Sequence, residues 1–91
     1  MTAPLAGRYA LVTGAGVRVG RAIALALGGA GAKVAVHYHS SEAAALETCR
    51  GLRELGTEGV PLRADLSDPA QVAGLVEAAR SHFGALDCLV A

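Results

Sequence analysis

Ninety-one residues make one small domain or part of a larger one. An apolar share of 53%, with eight basic and eight acidic residues, argues for a packed core and excludes a disordered chain. With zero net charge and no basic block, the sequence also lacks the electrostatic footprint of a nucleic-acid or membrane-surface binder.

Met1 to Gly7 carries a proline and little pattern and reads as a loose lead-in. Tyr9 to Thr13 is a continuous apolar run, the mark of a strand buried on both faces. A turn follows from Gly14 to Gly20. Val19 to Ala30 then has Val19, Ile23 and Leu27 at four-residue spacing, which predicts a largely buried helix ended by Gly28, Gly29 and Gly31. Lys33 to Tyr38 is a second strand. Ser41 is placed to cap a helix from Glu42 to about Leu55, with Ala45, Leu52 and Leu55 inward and Gly56 as its stop.

Gly59 to Arg63 is a third strand, and Pro61 within it predicts a position near a sheet edge. Asp68-Pro69-Ala70-Gln71 is a helix start, with Asp as cap, Pro at the first position and Gln closing a capping box. That helix runs to about Phe83, with Val72, Leu75, Val76 and Ala79 inward, and stops at Gly84. Leu86 to Ala91 is a fourth strand. The order β-α-β-α-β-α-β predicts a Rossmann-type, doubly wound parallel sheet with right-handed crossovers. Because the fourth strand has no helix after it, residues 1–91 are expected to be the N-terminal part of a single doubly wound domain, the first half only. An edge left bare in this way predicts poor solubility of the 91 residues alone.

The chemistry concentrates at the first turn. Gly14, Gly16 and Gly20 lie in a strand–turn–helix context, where backbone N–H groups and the helix dipole can hold a pyrophosphate. Their spacing is G-x-G-x-x-x-G, one residue longer than the common dinucleotide fingerprint. After the second strand, where an NAD site carries an acid on the ribose, stand His39, Ser40 and Ser41. Two hydroxyls and a nearby guanidinium, Arg18, favour a 2′-phosphate and hence NADP(H). Asp65 closes the third strand at its carboxyl end, where ligands of parallel sheets bind. His37 and His39 alternate onto one face, but two imidazoles do not complete a metal site and no third ligand is suitably spaced. Cys49 and Cys88 are expected to be packing residues, and His82 a surface residue or dipole partner at a helix end. No secretory signal and no apolar run near 20 residues is present, so the expected compartment is the reducing cytoplasm.

Thr13-Gly14-x-x-x-Arg18-x-Gly20 resembles the T-G-x-x-x-G-x-G turn of the short-chain dehydrogenases/reductases, with Arg18 in place of the middle glycine. On that register Gly16 is incidental. The arginine variant, together with His37-Tyr38-His39-Ser40-Ser41, is similar to the pteridine reductases of that family, although an arginine often stands there where this chain has Ser40. Ala64-Asp65-Leu66-Ser67 and Leu86-Asp87-Cys88-Leu89-Val90 resemble the family's third- and fourth-strand elements. The resemblance implies NADP(H) contacts from Gly14, Val17, Arg18, Val19 and Gly20, from His39, Ser40 and Ser41 around the 2′-phosphate, and from Asp65 and Leu66 at the adenine. It implies an NADPH-dependent pteridine or dihydrofolate-type reductase with a small-molecule substrate, homo-oligomeric and tetrameric when complete. A general carbonyl or 3-oxoacyl reductase, or a non-catalytic dinucleotide-binding protein, are the alternatives. The family's Tyr-x-x-x-Lys pair is not met: Thr13 stands four residues after Tyr9, Glu42 four after Tyr38, and Lys33 is the only lysine. The 91 residues are therefore expected to hold cofactor without turnover on their own.

Overall fold

Four strands and three helices alternate along the chain in a computed structural model that describes residues 3–91. Met1 and Thr2, which open the expected lead-in, lie outside the described residues. The elements are β1 (Tyr9–Val12), α1 (Arg18–Gly29), β2 (Lys33–Tyr38), α2 (Glu42–Glu54), β3 (Gly59–Arg63), α3 (Pro69–Phe83) and β4 (Cys88–Val90). All pairings are parallel, in the order β3-β2-β1-β4. The chain winds outward from β1 to β3, then returns to the far side of β1. The strand order therefore reverses beside β1, and the crevice at the carboxyl ends of the strands opens there.

The register explains the two-layer core. Leu11 lies beside Ala35 and Val12 beside Val36. Side chains alternate across a strand, so the first pair faces one side of the sheet and the second the other. Leu11 and Ala35 pack with Leu75 and Ala79 of α3. Val12, Val34 and Val36 pack with Ala24 of α1 and with Ala45, Cys49 and Leu52 of α2. Pro61 sits in β3, an edge strand, as expected.

Three helix expectations change. In α1 only Ala24 and Gly28 are buried, and Val19 is 72% exposed. The sheet covers a narrow stripe, and Gly28 is there because a Cβ would run into the Leu52 side chain. Leu55 and Val72, read as inward, are on the surface: Leu55 is the C-cap of α2, past its last turn, and Val72, though in line with the buried Leu75 and Ala79, stands in the first turn of α3, at the end of that row. Ser41 occupies the cap position of α2 with ψ near 60°, outside the extended conformation that aims a cap oxygen at the helix, and its side chain makes no capping bond.

The start of α3 follows its sequence more closely. Asp68 accepts from the Ala70 N–H at 3.0 Å, Pro69 opens the helix, and Gly84 ends it with a φ of +83°. Gln71 departs from the capping box: its Oε1 accepts from the Asp65 N–H at 2.7 Å, because the Asp68 N–H is already bonded to the Asp65 carbonyl. Asp68→Ala in the intact protein is expected to cost about 1 kcal/mol in a thermal or denaturant melt, with Asp68→Asn restoring most of it. Equal losses for the two variants would show that the cap bond is not what Asp68 contributes.

Both cysteines are free. Cys49 is buried and burial pushes its thiol pKa up, as suits a packing residue. Cys88, expected to be packed, is exposed on β4, which pairs on one side only, with β1. His82 does more than face the helix dipole: Nε2 meets Glu58 Oε2 at 2.7 Å, linking α3 to the start of β3. No helix among the described residues is long and apolar enough to cross a membrane.

Candidate functional site

The site lies at the carboxyl ends of β1, β2 and β3. Thr13 anchors the exit from β1: its N–H donates to the Val90 carbonyl at 2.9 Å and its hydroxyl reaches the same oxygen at 3.3 Å. Gly14 then turns the chain with a φ of +63°, a conformation glycine adopts without Cβ strain. Val17 is extended and ends the turn, and Arg18 opens α1. A Cβ on Gly20 would be driven into the Gly14 carbonyl oxygen and lie 2.8 Å from its carbon. The glycine is what lets the helix start this close to the turn.

Gly16 is not incidental. It is buried, and a Cβ there would lie 3.1 Å from the Ala45 amide nitrogen. The turn thus rests on α2, where Thr48 Oγ1 also approaches the Gly16 carbonyl at 3.5 Å. Gly16 sets the turn against α2 while Gly14 and Gly20 set it against α1.

Arg18 is the one non-glycine residue with a positive φ among those described, at 51°. A left-handed L-residue costs about 1–2 kcal/mol. The family-like pattern has glycine at this place, and here an arginine bears the strain. Such outliers persist where function holds them.

No side chain caps α1, so its first N–H groups are left for an anion. Gly14, Gly16 and Val17 line an open cleft of about 110 Å³ with Tyr38, His39, Ser40 and Ser41. Three of the expected cofactor residues beyond the turn are therefore brought against it. Arg18, Val19 and Gly20 stand outside that lining, at the start of α1. The last three lining residues are exposed in the same way and leave two hydroxyls and an imidazole at the end of β2. The failure of Ser41 to cap α2 keeps its hydroxyl available here.

Asp65, just after β3, lies beside the cleft, close to His39. Its Oδ1 accepts from the Ser67 hydroxyl at 2.7 Å and the Ser67 N–H at 2.9 Å. Those bonds, with smaller help from His39 and Arg63, hold its carboxyl below the usual carboxylate range. Oδ2 is 4.0 Å from His39 Nε2 and takes no part in the Ser67 bonds. One carboxylate oxygen thus fixes the loop while the other remains an acceptor at the site. Leu66, the other expected adenine contact, is an exposed apolar side chain.

Two residues lay outside the expectations. His37 is 4% exposed and bonds the turn to β3, with Nδ1 3.0 Å from the Gly14 nitrogen and Nε2 2.9 Å from the Ala64 oxygen. A lone polar residue in a strand buried on both faces must find partners, and that was its signal. Tyr38 donates to the Glu42 carboxylate at 3.1 Å. Partial burial first, then that bond and the Glu42 charge, raise its pKa. Tyr38 thus stands at the cleft wall with its hydroxyl engaged by Glu42. The same bond holds the Glu42 charge at the Tyr38 hydroxyl.

Residues 8–91 match the family described as short chain dehydrogenase. The tetrahydroxynaphthalene reductase PfmaG of Pestalotiopsis fici is 46% identical over 84 residues, 92% of this chain and 30% of PfmaG. A putative dehydrogenase from Burkholderia cenocepacia with bound NADP superposes with a TM-score of 0.90 at 38% identity, covering 98% of this chain and 35% of that one. The landomycin C-6 ketoreductase LanV, with bound NADP and rabelomycin, gives 0.86 at 40% identity, with 97% and 38% covered. The chain thus spans about a third of the length of these proteins. The parallel fold is theirs. The pteridine-reductase likeness is not carried by these matches, which are a hydroxynaphthalene reductase and a ketoreductase. The motifs behind it are Arg18 at the start of α1 and the segment from His37 to Ser41 at the end of β2.

Proposed function

The chain belongs to the short-chain dehydrogenase family, and we propose that the intact protein is an NADPH-dependent reductase of a ring ketone formed by a polyhydroxylated fused aromatic compound. The observation that carries the cofactor half is the cleft where the glycine turn meets a β2 end built of His39, Ser40 and Ser41. No carboxylate stands where a ribose-binding acid would repel a 2′-phosphate, and Glu42, the nearest one along the chain, is engaged by Tyr38. The PfmaG and LanV likenesses support the substrate half.

Residues 1–91 serve on this reading as the N-terminal part of one NAD(P)-binding domain. The N–H groups of Arg18, Val19 and Gly20 hold the pyrophosphate, with Gly14 and Val17 against it. The Arg18 guanidinium and the Ser40 and Ser41 hydroxyls bind the 2′-phosphate beside His39. Asp65 Oδ2 accepts from the adenine amino group and Leu66 covers the ring. The nicotinamide supplies hydride when bound. The chain's own groups orient the cofactor and fix its phosphate end, and no residue here is assigned to protonate the substrate.

The test is oxidation of NADPH by the intact protein with tetrahydroxynaphthalene and with a dihydropterin. Turnover of the naphthalene at least about tenfold faster with NADPH than with NADH is expected, since the difference rests on charge-assisted bonds to one phosphate. Turnover of the pterin alone would restore the pteridine-reductase reading. Turnover of neither would sink the substrate proposal.

A further inference from the structure

His37 and Thr48 are the buried polar side chains among the described residues, and His37 alone spans two sides of the cleft. Its Nδ1 takes the Gly14 N–H, 23 residues away, and its Nε2 meets the Ala64 carbonyl, 27 residues away. An amide N–H only donates and a carbonyl only accepts. The ring is therefore neutral with its proton on Nε2, a tautomer set by its partners. The backbone carbonyl of His37 takes the next donor of the turn, the Ala15 N–H, at 3.1 Å.

One residue thus withdraws two successive turn N–H groups from any anion. The donors left include those at the uncapped start of α1. The same ring ties the left-handed Gly14 to Ala64, whose neighbour Asp65 comes within 4.0 Å of His39 in the cleft lining.

We infer that His37 is a positioning residue for the cofactor: it clamps the glycine turn in its binding conformation and sets the separation between the phosphate end at α1 and the adenine end at Asp65. The inference rests on the cofactor reading above. His37 is nearly buried where it borders the cleft, and both its ring nitrogens are taken by Gly14 and Ala64, through which it acts. Of its two bonds, the one to Gly14 bears directly on the phosphate site.

The two bonds can be separated by substitution in the intact protein. In His37→Asn the side-chain amide oxygen falls near the place of Nδ1 and can still accept from Gly14, but nothing reaches Ala64. In His37→Gln the longer amide reaches the Ala64 carbonyl and leaves Gly14 unpaired. Both variants lose one buried hydrogen bond, so similar falls in thermal midpoint are expected. NADPH affinity, measured by fluorescence titration, should divide them: within about threefold of the parent for Asn, and weakened about tenfold or more for Gln. Asn and Gln variants that weaken NADPH equally, in step with their loss of stability, overturn the clamp and leave a merely structural histidine. A parent protein that binds no NADPH overturns the cofactor reading, and the clamp with it.

Discussion

Arg18→Gly in the intact protein is expected to weaken NADPH by about 10- to 100-fold, leave NADH within about twofold, and not lower the melting temperature. The first figure is the loss of one charge-assisted bond to a phosphate, about 1.5–3 kcal/mol. The second follows because NADH lacks the group that Arg18 addresses. The third comes from the backbone. Arg18 holds a φ of 51° that costs an L-residue about 1–2 kcal/mol. Glycine removes that strain, offset in part by about 0.4–1 kcal/mol of added freedom in the unfolded chain. Most substitutions that damage a site also cost stability, so a variant that loses one cofactor and keeps its stability isolates the guanidinium. Titrations with both cofactors and a thermal melt decide it. Equal losses for NADPH and NADH would refute the 2′-phosphate role. A lowered melting temperature would show that the arginine side chain supports the turn.

Much of the fold could be read from punctuation. Lys33–Tyr38 and Gly59–Arg63 are strands with the boundaries expected, because glycine and polar residues bracket each apolar run. Pro69 and Gly84 delimit α3 through rules local to a single turn. What local rules cannot say is which side of a helix meets the sheet. Val19, Ile23 and Leu27 keep a helical period, and Ile23 and Leu27 do pack against the core, yet the fully buried positions of α1 are Ala24 and Gly28. The close approach of α1 to α2 is made by the smallest residues, and a hydrophobic pattern gives them little weight. Gly16 is incidental on the register of the turn alone. Its role is set by Ala44 and Ala45 of α2, some thirty positions later in the chain.

The site was legible where its chemistry is local. The turn, the residues at the end of β2 and Asp65 come together as their places at strand ends require. His37 was not, since both its bonds cross between elements. Nor was the substrate. The motifs behind the pterin expectation are proposed to face the nucleotide, and the similar proteins include a tetrahydroxynaphthalene reductase and a ketoreductase. A cofactor-binding half constrains the reductant far more tightly than the acceptor.

Gly20→Ala is expected to act on both cofactors alike and so to complement Arg18→Gly. The added Cβ would meet the Gly14 carbonyl oxygen, lie 2.8 Å from the Gly14 carbonyl carbon and 3.2 Å from Ala15 Cα. All three are backbone atoms, so no flexible side chain can yield. Nor can the turn retreat freely. His37 holds Gly14 and Ala15 from one side, and Gly16 already rests against α2. The strain then falls on the first turn of α1, whose N–H groups are proposed to hold the pyrophosphate. Overpacking of this kind costs about 1–3 kcal/mol of stability. Displacing two or more donors from a charged group should lower affinity on the order of 100-fold or more. The pyrophosphate is common to NADPH and NADH, so both dissociation constants should rise together. A Gly20→Ala protein that melts lower but binds both cofactors at parental affinity would show that the start of α1 does not hold the pyrophosphate. Parallel losses, beside the one-sided loss in Arg18→Gly, would divide the turn into a part that grips any dinucleotide and a part that chooses between them.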